Sequence, residues 1–263
     1  MYNLISIESK ENAFFKLAKK LKDRKGRNKE QKYIIEGFRL IQEAFKAGCK
    51  IDSIVVNNDG EKKLNQYLEQ YVDSIKVYLM EDSLFSQLTS TENPQGIIAI
   101  LEIEDKREKL KGDFYLLCDK VQDPGNLGTI IRTAHAAGVT GIILTKGTVD
   151  IYNDKVIRST MGSIFYVPII HDNDLSFLKE LKIDGFSLVA TSLQESNDFF
   201  REDLSGKIIL SVGNEGNGIS DEIFEMADIK VKIPMPGGAE SLNVAIATSI
   251  ILFERVRQNI SNK

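Results

Sequence analysis

Apolar positions in the second half of the chain fall into two kinds of run. FYLLCDKV (114–121), GIILTKG (141–147), FYVPII (165–170), FSLVATSL (186–193), KIILSVG (207–213) and DIKVKIPM (228–235) read as strands. Strands such as KIILSVG are apolar on both faces, which predicts a covered, mostly parallel sheet. Between them lie helical patterns. In DPGNLGTIIRTAHAAGV (123–139), Leu127, Ile130, Ile131 and Ala134 fall at i, i+3, i+4 and i+7, one stripe. Arg132 points away from that stripe, so it is either a solvated arginine or one aimed at something. LSFLKELK and SDEIFEMA are further helices, and SLNVAIATSIILFERVRQ is a long last one. That last helix is apolar nearly all round, so it has to be buried on every side. A sheet covers only one side, which leaves another for a second copy of the chain.

The first hundred residues also alternate. ENAFFKLAKKLKD, FRLIQEAFKAG, EKKLNQYLEQY and EDSLFSQL read as helices, and YIIEG, SIVVN, IKVYLM and GIIAILEI as strands. This predicts a small α/β unit. Eight of the ten residues in EDKREKLKGD (104–113) are charged, so that stretch cannot join a core. The expected organisation is a first domain over 1–104, a charged linker over 105–113 and a second domain over 114–263.

With 263 residues, 42% hydrophobic and 27% charged, the chain has the balance of a soluble globular protein. No apolar run reaches the roughly 18 residues of a membrane helix, and the first residues lack a secretory pattern. Two cysteines and two histidines suit a reducing cytoplasm and call for no metal. Net charge is −4, yet residues 16–32 carry nine basic side chains against two acidic ones. That run is either a solvated face or an anion-binding patch. Lys19, Lys22, Arg24, Lys25 and Arg27 are its candidate RNA contacts.

Ligands of open parallel sheets sit beyond the carboxyl ends of the strands, which directs attention to the loops after Val121, Leu193, Gly213 and Met235. In VQDPGNLGTIIRT, Asp123 or Asn126 can cap the helix, but capping does not explain Gly128 in its first turn. LSVGNEGNGIS is a glycine-rich strand-to-helix turn. Its GxxGxG spacing, its late position and Glu215 inside it disfavour a pyrophosphate, while Glu215 suits a positively charged ligand. In IPMPGGAESLNVAIATSIILFE, Pro234, Pro236, Gly237 and Gly238 make an ordered turn, with Ser241 the expected N-cap.

These three loops, in this order, resemble the three signature motifs of the SpoU (TrmH-type) RNA ribose methyltransferases, over about residues 113–257. The first hundred residues resemble the L30e-like substrate-binding domain found in many of them. The resemblance implies transfer of a methyl group from S-adenosylmethionine to a ribose 2′-hydroxyl of structured RNA, most of all 23S ribosomal RNA. It also implies a parallel sheet with a deep trefoil knot, a homodimer and a cytoplasmic location. Carried over by position, it places the cofactor at Thr191, Ser192, Gly213, Asn214, Gly218, Ile233, Met235, Ser241, Leu242 and Val244. It places catalysis and substrate at Asn126, Arg132, Glu215, Ser241 and Asn243. An arginine stays protonated, so Arg132 is expected to stabilise a developing alkoxide rather than to remove a proton. The rival readings are a tRNA ribose methyltransferase, a non-catalytic ribosome-associated RNA-binding protein and a nucleotide-cofactor oxidoreductase.

Overall fold

The structure, a computed structural model, describes residues 4–73, 75–192 and 196–261. The chain divides into two compact units, Met1–Asp105 with Tyr152–Ile157, and Lys106–Ile151 with Arg158–Lys263.

The first unit runs β1 (Leu4–Ile7), α1 (Ala13–Lys20), α2 (Arg24–Glu30), β2 (Lys32–Glu36), α3 (Phe38–Lys46), β3 (Ile51–Val56), α4 (Asn58–Val72), β4 (Lys76–Met80), α5 (Asp82–Phe85) and β5 (Ile97–Glu102). Its five strands lie in the order β1-β4-β3-β5-β2. β4 is parallel to both neighbours, and β5 is antiparallel to both of its own. Phe15, Ala18 and Leu21 pack with Val55, Met80, Phe85, Leu88, Ile98 and Ile100 in a core on the α1 side. Residues 152–157 join this unit, where the Tyr152 ring lies 4.4 Å from that of Tyr33.

Two of these elements lie outside the expected ones. β1 is a four-residue edge strand with only Ile7 buried. α2, RKGRNKE, has no apolar residue at all. Two other features hold it in place. A Cβ on Gly26 would lie 1.9 Å from the Lys20 carbonyl oxygen, so only glycine permits this approach of α2 to α1. The Arg27 guanidinium donates to the carbonyls of Leu21 (2.8 Å) and Lys22 (2.7 Å) at the end of α1. Those carbonyls are orphaned acceptors of a helix terminus.

The second unit runs β6 (Phe114–Cys118), α6 (Pro124–Ala136), β7 (Gly141–Leu144), α7 (Asp154–Thr160), β8 (Ile169–His171), α8 (Ser176–Ile183), β9 (Ser187–Thr191), β10 (Asn197–Asp198), β11 (Ile208–Val212), α9 (Asp221–Glu225), β12 (Ile229–Lys232) and α10 (Val244–Ser261), with α7 divided between the two units. Its seven strands, in the order β10-β12-β9-β11-β6-β7-β8, are all parallel. β6, β7 and β11 are buried at every position, as a covered sheet requires. Tyr115, Leu117, Ile143, Leu188 and Ile209 face α8 and α9 through Leu178, Leu181 and Ile223. Helices α6 and α10 pack against each other.

One expectation is corrected here. The strand expected over 165–170 is only Ile169–His171, because Pro168 offers no N–H to a ladder and a 3₁₀ turn, Ser163–Phe165, precedes it. Helix α10 leaves one side uncovered within the single chain. Ile251, Leu252 and the carboxylate-bearing Glu254 are buried, whereas Ile246, Phe253 and Ile260 are 51%, 48% and 70% exposed.

Candidate active site

Strands β12, β9, β11 and β6 are neighbours, so their carboxyl ends bring together segments far apart in sequence. β6 delivers Asp119–Asp123, β9 delivers Thr191 and Ser192, β11 delivers Gly213 and Asn214, and β12 delivers Ile233 and Met235. Leu193, at the head of the fourth expected loop, lies outside the described residues.

The loop after β11 is folded by its own backbone. Asn214 and Gly218 exchange N–H···O bonds of 2.8 and 2.9 Å, and Gly218 has φ +70°. A Cβ on Gly213 would lie 2.1 Å from the Gly218 carbonyl carbon, so the two glycines close a turn that no larger residue fits at 213. The Asn214 side-chain oxygen accepts from the N–H groups of Gly216 and Asn217, both at 3.0 Å. Its amide nitrogen donates to the Lys120 carbonyl (2.9 Å). Lys120 itself adopts φ +54°, a left-handed conformation that a non-glycine residue holds only when its surroundings enforce it.

Glu215 joins this loop to α6. Its carboxylate accepts from the backbone N–H of Gln122 (3.2 Å) and Asp123 (3.1 Å) and from the Asn126 amide (3.0 Å). Partial burial alone would raise its pKa. The Asn126 amide and the backbone donors outweigh that and hold it below the usual carboxylate range. Asn126 passes the connection on, because its oxygen accepts from the Asn243 amide (2.9 Å). The Asn243 oxygen in turn accepts from the N–H groups of Ala245 (2.9 Å) and Ile246 (3.4 Å). Asn243, not Ser241, therefore caps α10, and Ser241 is exposed in the loop before it. At the other end of the chain of bonds, Asp123 caps α6 by accepting from Asn126 N–H at 2.7 Å. One network, Glu215–Asn126–Asn243, ties together all three loops that the sequence singled out.

Arg132 stands apart from it. It is exposed on α6, two turns from the cap, and has no hydrogen bond or ion pair among the described residues. Leu127, Ile130, Ile131 and Ala134 are buried beneath it. Gly128 is also buried, and Thr133 meets Ser249 of α10 at 3.2 Å further along the same helix.

Thr191 donates to the Ser211 carbonyl (3.2 Å), and Ser192 N–H donates to Val231 (2.9 Å). Ile233, Met235, Leu242 and Val244 are half-buried along the last loop. Gly237 and Gly238 face open space, and Gly238 N–H donates to the Met235 carbonyl (3.0 Å) in a turn. Neither 213–220 nor 233–243 contains a lysine or arginine. Such a surface suits an uncharged adenosine and a cationic centre better than a pyrophosphate.

Sequence reasoning missed Asp119, which is 1% exposed. It accepts from the Thr145 hydroxyl (2.7 Å) and from Ser220 N–H (2.7 Å), joining β6 to the loops after β7 and β11. A carboxylate directly after the apolar run FYLLC was the available signal.

The basic run of the first unit divides. Arg24 and Lys25 are exposed on α2. Lys19 reaches Gln87 (3.4 Å), and Lys22 donates to the carbonyls of Gln87 (3.1 Å) and Thr89 (2.9 Å). Arg27 is 7% exposed and committed to α1, which corrects its expected place as a surface contact.

A model of the SpoU rRNA Methylase family matches residues 113–253. The chain belongs to the SpoU family. An MRM3-like substrate binding domain matches residues 12–99. Among relatives, the chain is 40% identical to the 23S rRNA (guanosine(2553)-2′-O)-methyltransferase RlmP of Bacillus subtilis, covering 94% of this chain and 97% of that one. An AdoMet-bound rRNA methyltransferase from Sinorhizobium meliloti superposes with a TM-score of 0.85 at 35% identity, over 97% and 98% of the two chains. The SpoU methyltransferase AviRb of Streptomyces viridochromogenes, in complex with AdoMet, gives 0.86 at 30% identity, over 95% and 99%.

Proposed function

We propose that this SpoU-family chain methylates a ribose 2′-hydroxyl of 23S ribosomal RNA, with S-adenosylmethionine as methyl donor, in the cytoplasm. The observation that carries the reading is the Glu215–Asn126–Asn243 network, which fixes three loops at adjacent strand ends and the start of the helix that carries Arg132. RlmP, alike over nearly its whole length, supports 23S RNA over transfer RNA as the substrate.

The backbones of 191–192, 213–218 and 233–244 hold the donor, and the sequence of those loops supports the trefoil-knot threading of the family. The donor supplies a methyl group made electrophilic by a sulfonium. The attacking 2′-oxygen forms a bond to that carbon as the carbon–sulfur bond breaks, and the hydroxyl proton leaves to solvent or to an RNA phosphate. Arg132, permanently charged and with five N–H donors, stabilises the developing alkoxide and an adjacent phosphate. Ser241 orients the ribose. Asn126, Glu215 and Asn243 are positioning residues, since the donors and acceptors that fix the loops already occupy them.

The exposed Ile246, Phe253 and Ile260 recur every seven residues on α10, one stripe of a helix. A second copy of the chain covers this stripe in a homodimer. Arg24 and Lys25, with the outer ends of Lys19 and Lys22, contact RNA phosphates.

Mass-spectrometric mapping of ribose methylation in 23S RNA, from cells with and without the gene, tests the reading. One 2′-O-methyl group disappears with the gene. An unchanged 23S map with a lost transfer-RNA methylation contradicts the substrate. Calorimetry in chelator shows binding of S-adenosylmethionine; its absence contradicts the cofactor.

A further inference from the structure

A groove of about 420 Å³ in the first unit has no part in the site above. It lies between α3, α4 and the chain entering β5, and is lined by Phe38, Arg39, Lys63, Gln66, Tyr67 and Gln95. The Phe38 and Tyr67 rings are stacked, with centroids 4.7 Å apart and planes at 28°. Phe38 is buried, while Tyr67 is 36% exposed and presents its ring to the groove. Arg39 and Lys63 are exposed and have no ion pair among the described residues. No carboxylate is among the lining residues.

The groove is also built in advance. The Gln95 side-chain oxygen accepts from Phe38 N–H (3.1 Å) at the start of α3, which holds the Gln95 amide against α3. Three glycines set the walls. A Cβ on Gly60 would lie 1.8 Å from the Gly96 carbonyl oxygen, and one on Gly96 would lie 2.2 Å from the Asn57 side-chain oxygen. Gly37 has φ +100° where β2 turns into α3. The Gln42 amide holds the Tyr67 carbonyl at 2.7 Å.

We infer that this groove binds one unpaired nucleotide of the RNA substrate, outside the methylated residue. The base stacks on Tyr67, backed by Phe38. Gln66 and Gln95 meet its edge, and Arg39 and Lys63 meet the flanking phosphates. Splayed RNA bases are recognised through this combination of aromatic face, amides and cations. The inference rests on the reading of the chain as an RNA methyltransferase.

The chain has no tryptophan, so Tyr67→Trp in the full-length protein places a single indole in the groove. Unmodified 23S RNA transcript quenches its fluorescence, and the Arg39→Gln/Lys63→Gln pair weakens that titration at least tenfold. In the otherwise wild-type background, Tyr67→Ala raises the KM for the transcript roughly tenfold, the scale of one lost stacking contact. Its kcat and its KM for S-adenosylmethionine stay within twofold, and Tyr67→Phe restores the RNA value. Should Tyr67→Ala not fold, the quenching and the double variant decide. Fluorescence indifferent to RNA overturns the inference, as does quenching by RNA-free ribosomal proteins in its place. Quenching by RNA without any methyl transfer from the wild type overturns the proposed reaction and leaves the groove standing.

Discussion

At the scale of single residues, the site depends on one carboxylate that carries no chemistry itself. Glu215 accepts three hydrogen bonds that join the loop after β11 to the start of α6. Glu215→Ala removes charge-assisted bonds, but the side chain is exposed, and solvent limits their worth to about 1 kcal/mol. Thermal melting measures that loss, and methyl transfer falls further than stability does because three loops lose their register. The pH dependence follows from the direction of the shift. Because the folded protein holds the Glu215 carboxyl below its unfolded value, the contribution is complete above the usual carboxylate range. It disappears as pH falls through the lowered value. Glu215→Gln flattens the acid limb of the stability curve, and an acid limb identical to wild type contradicts the clamp. Asn126, Glu215 and Asn243 were legible in the sequence as motif positions. Their partnership was not, since hydrogen bonds across 89 and 117 residues leave no periodicity.

At the scale of elements, the chain's hydrophobic pattern located every long helix and the buried strands, because burial on one stripe or two faces writes itself into the order of residues. It was silent on α2, and the four apolar-rich residues of β1 are too short a run to separate an edge strand from a loop. In α2 the stabilising parts are a glycine contact and an arginine on two carbonyls, both polar or absent as side chains. The same run of charge thus contains two kinds of residue. Arg27→Ala strips partners from two helix-end carbonyls and costs about 1–3 kcal/mol in chemical denaturation. Lys25→Glu and Arg24→Glu melt within roughly 0.5 kcal/mol of wild type, while their affinity for 23S transcript falls and its salt slope shallows. A stable Arg27→Ala protein with weakened RNA binding reverses this division. The groove at Tyr67 was also invisible in sequence, since its six residues come from three segments with no shared spacing.

At the scale of the whole molecule, α10 was read as apolar all round with one side left for a second copy, and one chain leaves a stripe of it bare. On the proposed reading, the exposed Ile246, Phe253 and Ile260, on a helix that also packs on α6, form the surface a second copy covers. Sedimentation at micromolar concentration gives a dimer, and Phe253→Glu gives monomer or aggregate; a well-behaved wild-type monomer contradicts the assembly. On the proposed reading, the clamped loops and α6 together present Arg132 to the reacting ribose. Arg132 is exposed and has no hydrogen bond or ion pair among the described residues, so Arg132→Ala melts within roughly 0.5 kcal/mol of wild type and binds S-adenosylmethionine unchanged. Single-turnover methylation of saturating 23S transcript is the direct measurement. It slows by about 10²–10³, the scale of a lost donor to a developing oxyanion, and Arg132→Lys recovers only part of it, because charge returns without the planar fork. Wild-type turnover by a normally folded Arg132→Ala protein contradicts the account.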